Sequence, residues 1–326
     1  MRLIGRRQFL LGASGAVLAT TRAHGQARLR RVAWFGAGRA GVASPFLEAV
    51  RSGLREHGWE EGRNLALAEY WTSGTMAESE QLARQMLAGN PELVVVYGRD
   101  VLAVHRVRPT MPVVFAFSGD PVDAGIVQSL ARPGTNFTGL SFLSLELAGK
   151  RIGLLREMVP RLSRLGVLAR PEHPGEPRER AVSEEVARGL GLTVTYASIQ
   201  GASDLEAALQ TIAREHCDGM VTFPDGVMLA NSARIAGFAA ETRIATTSGW
   251  AGFAENGFLM TLGPNLGASY RHLARYVDRI LRGARPEELP VELPRTVELV
   301  LNLRTARTLG VTIPESLTVR ADRVIG

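Results

Sequence analysis

Short apolar runs alternate with amphipathic stretches along most of the chain, and this alternation constrains the fold more than any other feature. The run Leu93-Val94-Val95-Val96 is apolar at every position, which is typical of a parallel strand buried on both faces. Strands are predicted in the first third of the chain at residues 31–35, 65–70, 93–97 and 113–117.

Helix start signals fall between these predicted strands. Ser44 precedes Pro45, which fits an N-cap residue followed by proline at the first helical position. Thr75 and Glu78 have the spacing of a capping box. Strands that alternate with helices predict a parallel sheet covered by helices on both faces.

The same pattern restarts after about residue 140. The predicted strands are residues 165–168, 192–197, 220–223 and 244–247. The predicted helices are residues 144–158, 179–189, 204–215 and 228–241. Each set is large enough for one domain, so the chain is predicted to form two doubly wound α/β lobes.

The C-terminal tail does not continue the alternation of strands and helices that is predicted for either lobe. It reads as a helix over residues 266–281, a proline-rich extended stretch over 286–294 and a strand over 296–301. A long tail after two similar lobes indicates that the chain passes between them more than once. We therefore predict a first lobe of residues 28–140 plus about 259–290, and a second of 141–258 plus about 291–326.

Residues 1–27 have the composition of a cleaved export signal. A basic start with Arg6 and Arg7 leads into an apolar run over residues 9–19, which is too short to span a membrane. The segment Gly5-Arg6-Arg7-Gln8-Phe9-Leu10-Leu11 resembles a twin-arginine signal. An ordinary secretory signal that carries two arginines is the alternative. Either route predicts a soluble periplasmic protein after cleavage.

Charge and cysteine content exclude several classes of function. Removing the four arginines of residues 1–27 lowers the net charge from +6 to +2, which argues against a nucleic-acid partner. Cys217 is the only cysteine, so an intrachain disulfide and a cysteine-based metal cluster are both excluded. We expect no metal and no cofactor.

Gly36-Ala37-Gly38-Arg39-Ala40-Gly41 matches the dinucleotide fingerprint on paper. The fingerprint needs a helix that opens within the glycines, but here the predicted helix begins only at Pro45. Glu69, the acid that ends the next strand, lies 28 residues beyond Gly41, which is farther than usual. We interpret the segment as a flexible loop beside a cleft, with an exported nucleotide-dependent oxidoreductase as the alternative. No recognised catalytic motif is present, and no catalytic residue is assigned.

Two acids follow predicted strands directly. Asp120 comes after strand 113–117, and Asp225 comes after strand 220–223. Ligands of open α/β sheets bind beyond the carboxyl ends of the strands, so these acids are predicted to face each other and to hold a cationic group. The alternative is turn formation, because Asp-Pro and Asp-Gly are strong turn formers.

The other candidate ligand-binding residues lie at or beside strand ends. Aromatic side chains commonly line small-molecule pockets, although each could equally pack in the core. The aromatic candidates are Trp34, Phe35, Trp250 and Phe253. The remaining candidates are Gly36, Gly98, Arg99, Ser118 and Thr138.

Several segments together resemble one family in their order and approximate spacing. They are Ser118-Gly119-Asp120-Pro121, Leu130-Ala131-Arg132-Pro133-Gly134-Thr135-Asn136-Phe137-Thr138-Gly139-Leu140-Ser141, Gly149-Lys150-Arg151, Leu154-Leu155-Arg156-Glu157, Gly263-Pro264-Asn265, Tyr276-Val277-Asp278-Arg279-Ile280-Leu281-Arg282-Gly283, Leu289-Pro290-Val291-Glu292, Glu298-Leu299-Val300-Leu301-Asn302 and Leu309-Gly310. The combination resembles the ABC transporter substrate-binding family that includes the tryptophan-type binding proteins.

The resemblance implies a type I periplasmic binding fold, with two α/β lobes, a hinge and a ligand in the cleft between them. It implies a monomeric binding protein, not an enzyme, that passes a small molecule to an ABC permease in the inner membrane. Members near the tryptophan type bind aromatic amino acids. Many members carry an arginine and an acid inside the segment that here reads Trp250-Ala251-Gly252-Phe253. A binding protein that presents its ligand to a signalling receptor is the alternative.

Overall fold

The computed structural model describes residues 29–72, 75–142 and 145–326, so the predicted export signal lies outside the described residues. The first sheet has five parallel strands in the order β2-β1-β3-β4-β5. They are β1 Arg30–Ala37, β2 Leu65–Thr72, β3 Leu93–Tyr97, β4 Val113–Phe117 and β5 Phe137–Ser141. The four strands predicted in this part are confirmed, whereas β5 is not anticipated by the sequence pattern.

Three helices connect the strands of the first sheet: α1 Pro45–Glu56, α2 Met76–Ala88 and α3 Asp100–Arg106. The start of α1 is confirmed, because Ser44 Oγ accepts a hydrogen bond from the amide of Leu47 at 3.4 Å. The capping box at α2 is also confirmed, with Thr75 and Glu78 each accepting from the backbone amide of the other.

The second sheet has seven strands in the order β12-β11-β10-β9-β8-β6-β7, and all pairs are parallel except β10 with β11. Its strands are β6 Arg164–Ala169, β7 Thr193–Ser198, β8 Gly219–Thr222, β9 Ala245–Ser248, β10 Met260–Pro264, β11 Val297–Asn302 and β12 Arg323–Ile325. The remaining helices are α4 Leu145–Met158, α5 Glu176–Gly189, α6 Leu205–Arg214, α7 Gly226–Ala230, α8 Ser232–Thr242, α9 Ala251–Glu255, α10 Leu266–Leu281, α11 Leu303–Leu309 and α12 Glu315–Arg320. Two doubly wound α/β lobes are thus confirmed.

Some local predictions for the second lobe are wrong. The single helix expected over residues 228–241 is divided into α7 and α8 at Asn231. The glycine-containing segment after Trp250, which the sequence pattern favours as a loop, forms the short helix α9 with Trp250 as its N-cap residue. The segment Ser203-Asp204-Leu205-Glu206 also has the spacing of a capping box, but Ser203 does not cap α6. The Asp204 carboxylate instead accepts from the amides of Gln200 and Gly201.

The tail returns to the first lobe after β10. Helix α10 packs against α1, and Trp59 Nε1 donates to Asp278 Oδ1 at 2.9 Å. Strand β10 itself pairs with β9, so the predicted lobe boundary near residue 259 moves beyond Pro264. After α10, Glu292 forms an isolated β-bridge with Leu140 of the first sheet. The chain then returns to the second sheet, where β11 pairs with β10. The chain thus passes between the two sheets more than once.

Each face of each sheet carries its own apolar core. In the first lobe, Trp34 and Tyr97 belong to the cluster under α1 and α10, whereas Phe35 and Phe115 belong to the cluster on the opposite face. Successive side chains of a strand point to opposite faces of the sheet, which explains why the adjacent residues Trp34 and Phe35 lie in different cores. None of the helices in the described part of the chain is long and apolar enough to span a membrane.

Gly139 provides a test of the first sheet. Its φ is +147°, and a Cβ atom there would lie 2.0 Å from the carbonyl oxygen of Phe115 on β4. We expect Gly139→Ala to lower the free energy of unfolding by about 1–3 kcal/mol or more, measured by urea denaturation. A Cβ at Gly153 in α4 would have no atom within 4 Å, so Gly153→Ala should instead raise the free energy of unfolding by about 0.5–1 kcal/mol. Equal stability of the two variants would contradict this account of β5.

Candidate ligand-binding site

The carboxyl ends of strands from both sheets meet at a cleft, and ion pairs cross it. Arg99 follows β3 in the first lobe, and its Nη1 lies 2.5 Å from Oε2 of Glu172, which follows β6 in the second lobe. Arg178 on α5 pairs across the cleft with Asp120 at 2.9 Å and also with Asp123. The loops after β3 and β4 therefore contact the loop after β6 and the start of α5.

Asp120 has two structural roles at this edge. Its Oδ1 accepts hydrogen bonds from the amides of Val122 at 2.8 Å and Asp123 at 3.2 Å, which is the predicted turn chemistry. Its Oδ2 accepts from Arg178 of the second lobe. The carboxylate thus shapes its own loop and pairs with the opposite lobe.

Asp225 is likewise engaged by neighbouring groups. Its carboxylate caps α7 by accepting from the amides of Val227 at 2.7 Å and Met228 at 3.3 Å. Both of its oxygens also accept from Arg170 Nη1, at 3.2 and 3.1 Å. Asp225 therefore already has a cationic partner.

Arg170 connects Asp225 to the pairs that cross the cleft. Its side chain is only 9% exposed, and its Nη2 donates to Glu172 at 3.2 Å, while Nε donates to the carbonyl of Gln200. Because Glu172 also binds Arg99, the four charged side chains form a chain, Asp225–Arg170–Glu172–Arg99, from one lobe to the other.

An aromatic cluster lies at the carboxyl edge of the first sheet and consists of Trp34, Phe46, Trp71, Tyr97, Phe142 and Tyr270. The Trp34 and Tyr97 ring centroids are 5.0 Å apart, and Phe46 stacks on Tyr270 at 4.5 Å. Trp34 Nε1 is buried and has no hydrogen-bond partner. Burial raises the pKa of Tyr97, and the charge of Asp100 raises it further.

The glycines of the apparent dinucleotide fingerprint make room for this cluster. A Cβ at Gly36 would lie 2.0 Å from the Tyr97 ring, and a Cβ at Gly38 would lie 2.5 Å from the Trp71 ring. Helix α1 begins at Pro45, as predicted, so its N-terminus is not formed within the glycines. Gly36 and Gly38 therefore have a packing explanation, whereas Gly41 has a φ of +77°, in the left-handed region that favours glycine.

Several predicted site residues have packing roles in this structure. Phe35 and Phe253 are both fully buried in core clusters, with Phe253 5.1 Å from Phe258 between ring centroids. Thr138 Oγ1 donates to the carbonyl of Leu289 at 2.7 Å, which ties β5 to the returning tail. Trp250 is half-buried and lies 6.3 Å from Phe253.

The two remaining candidates follow strands of the first sheet. Gly98 has a φ of +65° directly after β3, in the left-handed region that favours glycine. Ser118 is half-buried directly after β4. The structure thus brings Gly98, Arg99, Ser118 and Asp120 to one edge of the first sheet, opposite the loop after β6.

Sequence reasoning missed a buried polar group in the second lobe. Arg151 Nη1 and His173 Nδ1 each lie 3.7 Å from a carboxylate oxygen of Glu179, and all three side chains are buried. Burial lowers the pKa of Arg151 and raises that of Glu179, and in each case the opposite charge of the partner acts against the shift. Contacts between residues on different elements create this group, so no local sequence motif indicates it.

Two lobes whose strand ends meet at a cleft define a two-lobed binding protein. Over residues 45–325 the chain matches the model of the ABC transporter substrate binding protein family, and it belongs to this family. It is therefore the substrate-binding protein of an ABC transporter, and this is a family of binding proteins, not of enzymes.

Known relatives share the fold across nearly the whole chain. A conserved domain protein from Vibrio cholerae superimposes with a TM-score of 0.84 at 29% identity, covering 91% of this chain and 100% of that one. An ABC domain from Streptococcus pneumoniae in complex with L-Trp gives 0.82 at 20% identity, with the same coverage. The tyrosine-binding protein of Clostridioides difficile is 20% identical over 274 residues, which are 82% of this chain and 78% of that protein.

The ion pairs that cross the cleft make a testable contribution to lobe closure. Arg178→Gln removes the charge that binds both Asp120 and Asp123, and exposed pairs contribute about 0.2–1 kcal/mol each. We expect the ligand-free variant to occupy more open arrangements, seen as a larger radius of gyration in small-angle X-ray scattering at low salt.

The matched control is Arg234→Gln, which removes an arginine that pairs with Glu206 inside the second lobe. This control should scatter like the wild type. High salt should reduce the difference between Arg178→Gln and wild type, because salt screens exposed charges. Identical scattering of all three proteins at low salt would show that these pairs do not influence closure.

Proposed function

We propose that the mature protein works in the periplasm as a monomer, captures a small organic solute between its lobes and delivers it to an ABC permease in the inner membrane. The observation that carries this proposal is the contact between strand-end loops of the two lobes, made by Arg99 with Glu172 and by Arg178 with Asp120. These contacts lie where ligands of open α/β sheets bind.

Capture by closure needs no catalytic residue. A ligand that touches both lobes favours the closed arrangement by the difference between its affinities for the closed and open forms. The loops after β1, β3 and β4 supply the first-lobe contacts, including Gly36, Gly98 and Ser118. The loops after β8 and β9 supply the second-lobe contacts, including Trp250, and Asp225 shapes the loop after β8 by capping α7.

We propose that the ligand is an amino acid or a related organic solute. Two relatives support this class, since one was solved with L-Trp and the other is a tyrosine-binding protein. In the aromatic cluster around the buried Trp34 and Tyr97, the half-buried side chains of Phe46, Trp71 and Phe142 offer an apolar surface at the edge of the first sheet. Aromatic walls with a few polar groups are common in small-molecule pockets.

A thermal-shift screen of amino acids and related organic acids and amines tests the proposal. A bound solute stabilises the protein by about 2.7 kcal/mol at 100-fold excess over its dissociation constant. We expect at least one solute to raise Tm and to reduce the radius of gyration. A solute that raises Tm without compaction would argue against closure, and a screen without any stabilising solute would argue against capture of this class.

Export is tested separately. Arg6 and Arg7 lie in the predicted signal, and we propose that they direct the precursor to the twin-arginine route. Changing both to lysine keeps the charge but should leave uncleaved precursor in the cytoplasm, detected by fractionation and immunoblotting. Normal periplasmic accumulation of the variant would assign export to the general secretory route.

A further inference from the structure

Asp100 is buried, and one of its two carboxylate oxygens accepts no hydrogen bond. It is the first residue of α3, and it is 3% exposed. Its Oδ2 accepts from the hydroxyl of Thr72 at 2.6 Å, whereas Oδ1 is buried without a hydrogen-bond partner. Among the described residues, no basic side chain forms an ion pair with it. Burying such a group costs free energy, so its presence calls for a partner.

The other acids of the cleft differ from Asp100 in this respect. Asp225 pairs with Arg170, and Asp120 pairs with Arg178. A ligand ammonium group at either acid would have to displace a guanidinium that already makes charge-assisted hydrogen bonds. At Asp100 the ammonium group would displace no protein cation.

Asp100 also lies at the correct edge of the sheet. Thr72 ends β2 and is paired with Ala37 at the end of β1, and Tyr97 ends β3. Arg99, the residue beside Asp100, reaches across the cleft to Glu172. This carboxylate therefore lies next to a contact between the two lobes.

Aromatic side chains neighbour the same edge. Tyr97 precedes Asp100 by three residues, and its ring lies 5.0 Å from that of Trp34, whose Nε1 is a second buried group without a partner. An acid beside aromatic faces suits an organic cation with an apolar body, because both the carboxylate and the ring faces attract positive charge.

We infer that Asp100, positioned by Thr72, binds the cationic group of the ligand and thereby selects organic ammonium compounds over their uncharged or anionic analogues. The inference rests on the proposed function. It assigns the cation to the first lobe, and it gives Asp225 the structural role of capping α7 and pairing with Arg170.

Matched ligand pairs test the assignment by calorimetry. The probes are L-phenylalanine, L-tyrosine, L-tryptophan and L-leucine, each paired with the acid that lacks its amino group, such as 3-phenylpropionate for L-phenylalanine. Wild type should bind at least one amino acid about tenfold or more tightly than its partner acid, the scale of a hydrogen bond between charged groups. Asp100→Asn should reduce that ratio to about one.

Asp225→Asn is the matched control, because it removes one carboxylate charge from the other side of the cleft. It should keep the preference for the amino acid while lowering Tm of the ligand-free protein, since Arg170 loses its anionic partner. Asp100→Asn should leave the ligand-free Tm unchanged or higher, because it removes an unpaired buried charge. If Asp100 had only a structural role, Asp100→Asn would lower the Tm of the ligand-free protein.

Thr72→Val provides a second variant should Asp100→Asn fail to fold. It keeps the carboxylate but removes the hydroxyl that donates to it. The variant should therefore bind the amino acid more weakly than wild type does, and the loss should be larger than for the partner acid. An unchanged ratio in both variants, or a wild type that binds only anionic or uncharged solutes, overturns the inference and leaves the proposed function intact. A wild type that no solute in the screen stabilises overturns both.

Discussion

The arrangement of the cleft depends on one guanidinium, that of Arg170. It binds both oxygens of Asp225 and also Glu172, and Glu172 continues the chain of charges to Arg99 in the opposite lobe. Arg170 and Asp225 are both largely buried, so removing either one leaves the charge of the other without compensation, which costs more than the intact pair contributes. The helix cap at α7, the loop after β6 and the contact between lobes are therefore coupled through a single side chain.

Much of the fold could be predicted because burial on both faces leaves a clear pattern. Leu93–Tyr97 and Val113–Phe117 are apolar throughout, and both strands have the predicted bounds. The strands Phe137–Ser141 and Met260–Pro264 were not predicted because each contains a glycine that indicates a turn. In the second of these, a Cβ at Gly263 would lie 1.7 Å from the carbonyl oxygen of Gly249, so close packing requires the glycine.

The site was only partly predictable, for a different physical reason. The rule that ligands bind beyond strand ends leads to Arg99, Asp120 and Asp225 from sequence alone. It does not reveal which charges are already paired, because the guanidinium partners of the two acids lie 58 and 55 residues away along the chain. Asp100 follows the same strand end as Arg99, but only its missing partner distinguishes it, and that is a property of the folded molecule.

The two kinds of polar contact at the cleft act on closure in opposite directions. Exposed ion pairs such as Arg178 with Asp120 favour the closed arrangement by about 0.2–1 kcal/mol each. A buried polar atom without a partner, such as Asp100 Oδ1, costs about 1–3 kcal/mol. This cost works against the arrangement without ligand, in which the ion pairs supply only a comparable amount of stabilisation. A ligand whose ammonium group donates to Asp100 Oδ1 would remove this cost, so the ligand and the ion pairs would favour the same closed arrangement.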